Sequence, residues 1–182
     1  MKVLGISGSL RRDSHNTKLL RAAEELLPLV ADFELWDGLK AVPPFDEDDE
    51  PGTAAVASLR DAVAEADVLV FATPEYNASI PGQLKNAIDW LSRPVATSVL
   101  RGKPALVVGA STGAFGAVWA QAELRKVLAT AGARVVEAEV AVGHAQEKFD
   151  ESGGLLDDDV REQLTEALDV LLASLPHANV RS

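Results

Sequence analysis

A doubly wound α/β fold, with a five-stranded parallel sheet and helices on both faces, is what this sequence predicts. Three observations carry that reading. Short β-type runs alternate with amphipathic helical stretches from end to end, which favours parallel strands joined by helical crossovers. Two of the runs, Val68-Leu69-Val70-Phe71-Ala72 and Ala105-Leu106-Val107-Val108-Gly109, are apolar almost throughout, as strands covered on both faces must be. The 182 residues suit one domain, expected to span 1–182, and suffice to bury a full core.

The elements follow in order. Val3-Leu4-Gly5-Ile6-Ser7 is the first strand. The first helix is expected over His15 to Leu29, with Leu19, Ala23, Leu26 and Val30 at helical spacing. Phe33-Glu34-Leu35-Trp36 is a short second strand, and Val56, Leu59 and Val63 mark the second helix. After the third strand at 68–72, a third helix carries Leu84, Ala87, Ile88 and Leu91. The fourth strand, 105–109, precedes a helix with Leu124, Val127, Leu128 and Ala131. Arg134 to Val142 reads as one continuous fifth strand. The last helix, with Leu164, Leu168, Leu171, Leu172 and Leu175, follows Asp157-Asp158-Asp159, and acids suit the positive end of a helix dipole. The run Asp46-Glu47-Asp48-Asp49-Glu50 lacks calcium-loop spacing and is expected to be a solvated loop.

Composition removes several function classes. Without cysteine there is no disulfide, thiol catalysis or cysteine-ligated metal. A net charge of -11 repels phosphate backbones, so no nucleic-acid partner is expected. Met1-Lys2-Val3-Leu4 passes straight into a strand pattern, and no apolar run reaches bilayer length; a cytoplasmic location and no membrane partner are expected.

Two strand orders fit the alternation: 2-1-3-4-5, or one half of a dinucleotide fold. In both, ligands lie at the carboxyl ends of the strands where the order reverses, so three loops matter. Ser7-Gly8-Ser9-Leu10-Arg11-Arg12-Asp13-Ser14-His15-Asn16-Thr17 opens a helix, where unpaired N–H groups favour a phosphate. It is neither a P-loop nor G-x-G-x-x-G, and Arg12 is expected to be solvated. Thr73-Pro74-Glu75-Tyr76-Asn77-Ala78-Ser79-Ile80-Pro81-Gly82 offers an aromatic and an amide to a flat ring. Gly109-Ala110-Ser111-Thr112-Gly113-Ala114-Phe115-Gly116 is small enough for close backbone approach.

Gly8-Ser9-Leu10-Arg11 with Ser14 and Asn16, followed by Pro74-Glu75-Tyr76-Asn77-x-Ser79-x-Pro81-Gly82-x-Leu84-Lys85-Asn86-Ala87-Ile88-Asp89-Trp90, resembles the NADPH-dependent FMN reductase family, which includes quinone, azo-dye and chromate reductases. The resemblance runs to the last helix and includes Lys148-Phe149-Asp150-Glu151. It implies a flavodoxin-like sheet of order 2-1-3-4-5, bound FMN, and NADPH or NADH as donor. The implied acceptor is small: a quinone, azo compound, metal oxyanion or free flavin. It places Ser9, Arg11, Ser14, Asn16 and Thr17 at the FMN phosphate. Pro74, Glu75, Tyr76 and Asn77 fall at the isoalloxazine, and Ser111, Thr112, Gly113 and Gly116 at its other edge. Ala117-Val118-Trp119 after Gly116 departs from the second glycine usual in the family. The resemblance also implies a homodimer or homotetramer; the third and fourth helices flank the site and are a candidate interface, with the loop around Tyr76 expected near it. No side chain is assigned as catalytic, because flavin and nicotinamide carry the redox chemistry. His15, His144 and His177 read as capping or surface residues. The alternative is a flavodoxin-type electron carrier that does not oxidise NAD(P)H. A signalling receiver domain is excluded by Ser7-Gly8-Ser9 and Thr73-Pro74, which stand where it needs acids.

Overall fold

The computed structural model describes residues 1–175; His177 lies outside them. β1 (Lys2–Ser7), β2 (Asp32–Trp36), β3 (Val68–Thr73) and β4 (Pro104–Ala110) pair in parallel in the order β2-β1-β3-β4. β5 (Arg134–Val135) and β6 (Ala141–Val142) both pair with the outer edge of β4, which completes the flavodoxin-like order 2-1-3-4-5. The helices are α1 (His15–Leu26), α2 (Ala54–Glu65), α3 (Gly82–Leu91), α4 (Val118–Thr130) and α5 (Asp158–Ala173).

Strand periodicity sorts side chains between two cores. Leu4, Ile6, Leu69, Phe71 and Val107 pack with α2, α3 and α4 through Leu59, Ile88 and Leu124. Val3, Val68, Val70, Leu106 and Val108 point the other way, onto α1 and α5 through Leu19, Leu20, Leu164 and Leu168. Both faces of β3 and β4 are therefore buried, which accounts for their apolar runs. Asp157 caps α5 by accepting a bond from Val160 N–H at 2.9 Å.

Two expected elements end differently. α1 stops at Leu26 rather than Leu29, because Pro28 disfavours helical backbone at Leu27, whose ψ is 150°. Val30 consequently leaves the apolar stripe and is 79% exposed. The fifth strand is not continuous. Residues 106–108 of β4 face 136–140 of the partner segment, so extra residues must loop out of the ladder. Val136 and Val140 stay buried while Glu137 and Glu139 turn to solvent, and Arg125 donates to the freed Ala138 carbonyl at 3.0 Å. Alternation marks the strand in sequence, but cannot reveal that its two glutamates leave the sheet.

The polar residues of the α3 motif clamp the segment after β2. Gln83 donates to the carbonyls of Leu39 and Val42, both at 2.8 Å. The Asn86 amide donates to Pro43 O at 2.7 Å and accepts from Phe45 N–H at 2.7 Å, and Trp90 Nε1 donates to the same Pro43 oxygen at 2.9 Å. Pro81 is the N-cap of α3, one place before its first helical residue. Asn86→Ala, which strands the Phe45 N–H, should lower stability by about 1–3 kcal/mol in urea unfolding with an unchanged m-value.

Candidate functional site

Three loops meet above the carboxyl ends of β1, β3 and β4. The first leaves β1 at Gly8, whose N–H bonds to Ala72 O at 2.8 Å and whose missing Cβ would lie 2.8 Å from Leu84 Cδ2. Ser14 is the N-cap of α1: its Oγ accepts from Thr17 N–H at 3.3 Å. The Thr17 hydroxyl bonds to Ser7 Oγ at 3.0 Å. The buried Asn16 amide donates to Ala110 O at 3.0 Å and accepts from Ala110 N–H at 2.9 Å, fixing α1 to the end of β4. The N–H groups of His15 and Asn16, in the first helical turn, have no intrahelical carbonyl within reach.

The second loop is a tight turn. Tyr76 and Ser79 exchange backbone bonds at 3.0 and 3.1 Å around Asn77 and Ala78, whose φ values of 54° and 58° are those of a type I′ turn. Such left-handed backbone at an alanine is strained, and it sets Tyr76 at the cleft mouth, 49% exposed. The Glu75 carboxylate accepts from the N–H groups of Trp119 and Ala120, both at 3.1 Å, and so caps α4.

The third loop is pinned to β6. Ser111 N–H bonds to Val142 O at 2.9 Å, and Gly113 N–H bonds to Ser111 Oγ at 3.1 Å. Gly116 and Ala117 are left-handed, with φ of 57° and 62°. A Cβ at Gly116 would lie 2.3 Å from the Ala141 carbonyl carbon, so this glycine serves close packing of the loop on β6. Fully buried Gln121 holds the loop from below, donating to Gly116 O at 2.9 Å and accepting from Arg125 at 3.3 Å. Sequence reasoning missed Gln121. The signal available was an uncharged polar residue on the buried stripe of α4, three residues before Leu124.

The cleft encloses about 110 Å³. Of the sequence-predicted residues, Ser9, Arg11, Ser14, Asn16, Pro74, Glu75, Tyr76, Ser111 and Thr112 line it together. Thr17, Asn77, Gly113 and Gly116 do not: Thr17 faces inward to Ser7, Asn77 and Gly113 are exposed nearby, and Gly116 is buried against β6. His15 and the Ala110 backbone were not predicted as lining and belong to it. Exposed Arg11, the Ser9 hydroxyl and the open end of α1 form a donor set for a phosphate, while the small third loop and Tyr76 leave a flat opening beside it. FMN fits the chemistry of this cleft: the cation and the helix-start amides suit its phosphate, and the small third loop and Tyr76 suit its flat ring.

Electrostatics single out His15. Its ring stacks on Phe149 at 6.0 Å with 22° between planes, and its Nδ1 is buried without a hydrogen-bond partner. Burial, then the positive charge of Lys18, lowers its pKa below the ordinary imidazole value. Asp13 is held below the usual carboxylate range by Lys18, and Asp157 by Lys148.

Fold and cleft together define a flavodoxin-like oxidoreductase of the mononucleotide class. The chain belongs to the NADPH-dependent FMN reductase family, whose model matches residues 1–147. It is 44% identical over 174 residues to an NAD(P)H-dependent FMN reductase of Pseudomonas aeruginosa, covering 94% of this chain and 93% of the relative. It is 37% identical over 171 residues to a 2-hydroxy-1,4-benzoquinone reductase of a Burkholderia species, covering 93% of each. Among solved structures, the flavoenzyme NAD(P)H:(acceptor) oxidoreductase of Paracoccus denitrificans superposes with a TM-score of 0.83 at 31% identity, over 96% of this chain and 99% of that one. The chain is accordingly an enzyme with FMN as cofactor and NAD(P)H as electron donor.

A histidine with a lowered folded pKa binds its proton more weakly folded than unfolded. Stability should therefore fall as pH drops through the ordinary imidazole pKa of about 6.5, before the carboxylates respond below about 4. His15→Phe should flatten urea-unfolding stability across that acid-side window relative to the unsubstituted protein.

Proposed function

We propose that this single flavodoxin-like domain passes electrons from NADPH or NADH to a quinone-type acceptor through FMN held by the three loops. The observation that carries the reading is their convergence: one helix start suited to a phosphate and one flat opening share a cleft. Bound FMN supplies hydride acceptance from the nicotinamide and onward electron transfer. The chain's own residues position it. Ser9, Arg11 and the first turn of α1 hold the phosphate, with Ser14, Asn16 and Thr17 shaping that turn. Pro74, Tyr76 and Asn77 face the ring, Glu75 ties their loop to α4, and Ser111, Thr112 and Gly113 border the other edge, on a loop that Gly116 anchors. The quinone assignment draws support from relatives named as quinone reductases. Family membership favours this reading over an electron carrier. Dependence on a pyridine nucleotide and a cysteine-free composition support a cytoplasmic location.

A homodimer or homotetramer completes the proposal. Tyr76, Phe115 and Trp119 are 49%, 63% and 51% exposed around the cleft mouth, and Phe115 and Trp119 stack edge to face at 5.2 Å. Large aromatics of this kind favour interfaces. A larger cavity of about 410 Å³ runs between α3 and α4, where Lys85, Asp89, Glu123 and Lys126 surround Ile88 and Val127. Charges of both signs around an apolar floor suit a self-complementary contact.

Protein purified without added flavin should release FMN on heating, identified by chromatography; FAD or no flavin would refute the cofactor reading for these loops. Arg11→Ala should weaken FMN binding by about 1.5–3 kcal/mol in fluorescence titration, against little change for Arg12→Ala. Light scattering at micromolar concentration should give at least a dimer mass, and a fully active monomer would refute the oligomer.

A further inference from the structure

A second cavity adjoins the cleft on the other side of the phosphate loop. It measures about 280 Å³ and lies over the ends of β1 and β2. Leu10, Trp36 and Leu39 contribute apolar lining, and Arg11, Arg12 and Lys40 stand around it with one carboxylate, Asp37. All three cations are exposed, and among the described residues none forms an ion pair. Asp13, next to Arg12 in sequence, is occupied by Lys18 at 2.7 Å.

In a chain of net charge -11, a cavity with three unpaired cations and one acid reverses the surrounding field. Apolar lining with a cationic rim suits a phosphorylated nucleoside: the base covers the floor and the phosphate meets the cations. The position narrows the choice. The cavity shares Ser9 and Arg11 with the neighbouring cleft, so its ligand can have a second half over the flavin ring. The loops of β3 and β4 lie two to three strand spacings from the β1–β2 edge, about 10–14 Å, a gap that an extended dinucleotide bridges. Asp37 directly follows β2. A carboxylate there can accept from a ribose hydroxyl, and a nearby cation accommodates a phosphate on the same sugar. Here Arg12 and Lys40 accompany the acid.

We propose that this cavity takes the adenosine 2′-phosphate arm of NADPH, with Arg12 and Lys40 binding the 2′-phosphate and setting a preference for NADPH over NADH. The proposal rests on FMN occupying the adjoining cleft. Arg11, committed to the flavin phosphate, contributes only its charge, and the discriminating residues lie outside the FMN site.

Isothermal calorimetry on the FMN-loaded protein provides a readout without turnover. Adenosine 2′,5′-bisphosphate should bind at least about 10-fold more tightly than adenosine 5′-monophosphate, and Arg12→Ala or Lys40→Ala should each weaken it by about 10-fold. In steady-state kinetics the same substitutions should raise KM for NADPH by a similar factor, with kcat, KM for NADH and FMN content unchanged. Equal binding of the two adenosine nucleotides, displacement of the bisphosphate by inorganic phosphate at equal concentration, or equal KM increases for NADH and NADPH would each overturn the assignment. Loss of FMN from both variants would overturn it as well, since Arg12 and Lys40 would then serve the flavin. Unsubstituted protein that purifies without FMN and binds none would refute the functional reading instead, which the flavin spectrum reports separately from the calorimetry.

Discussion

The Asn16 amide and the Ala110 backbone exchange two hydrogen bonds across 94 residues of sequence, and the cleft depends on that exchange. The first helix could sit on the sheet at several heights on apolar contact alone, because hydrophobic packing is non-directional. A reciprocal pair inside a buried setting admits one height. It fixes the start of α1 against the third loop, so the two ends of the cleft are held at a fixed separation. Glu75 adds the other coupling, since its carboxylate joins the loop after β3 to the first turn of α4. The floor and two walls of the cleft thus form one braced unit.

Several polar residues that look like ligand contacts spend their side chains on this bracing. Ser14, Asn16, Thr17 and Glu75 each bond to protein atoms. The residues left with free polar groups at the cleft are fewer, chiefly Ser9, Arg11, Tyr76, Thr112 and the first-turn amides. A motif can therefore be long and specific while few of its members touch the ligand. The α3 stretch is the clearer case: Gln83, Asn86 and Trp90 hold the segment after β2, and that segment supplies Leu39 and Lys40 to the second cavity.

Most of both cores was legible in the sequence because periodicity and apolar runs report burial directly, whereas the alternation left two strand orders open and only the family resemblance implied 2-1-3-4-5. What was not legible depended on geometry rather than on type. Pro28 was visible, yet the apolar period of α1 continued through Val30 and concealed the stop. Alternation across Arg134–Val142 could not show that two glutamates leave the ladder. Gly116 reads equally well as a ligand contact or as a close-packed backbone, and only its contact with Ala141 separates the two. Gln121 was hidden because an isolated buried amide has no sequence period of its own.

The stack of His15 on Phe149 carries one more consequence. The family model matches residues 1–147, and Phe149 lies just past the end of that match. Every residue that lines the cleft falls inside the matched segment, whereas the ring that backs the loop after β1 comes from outside it. The Phe149–Leu155 bridge and the Asp157 cap join that ring to α5, which covers one face of the sheet. A fragment trimmed at residue 147 would therefore keep the lining residues without the part of the scaffold that backs them, although similarity to relatives continues beyond that point.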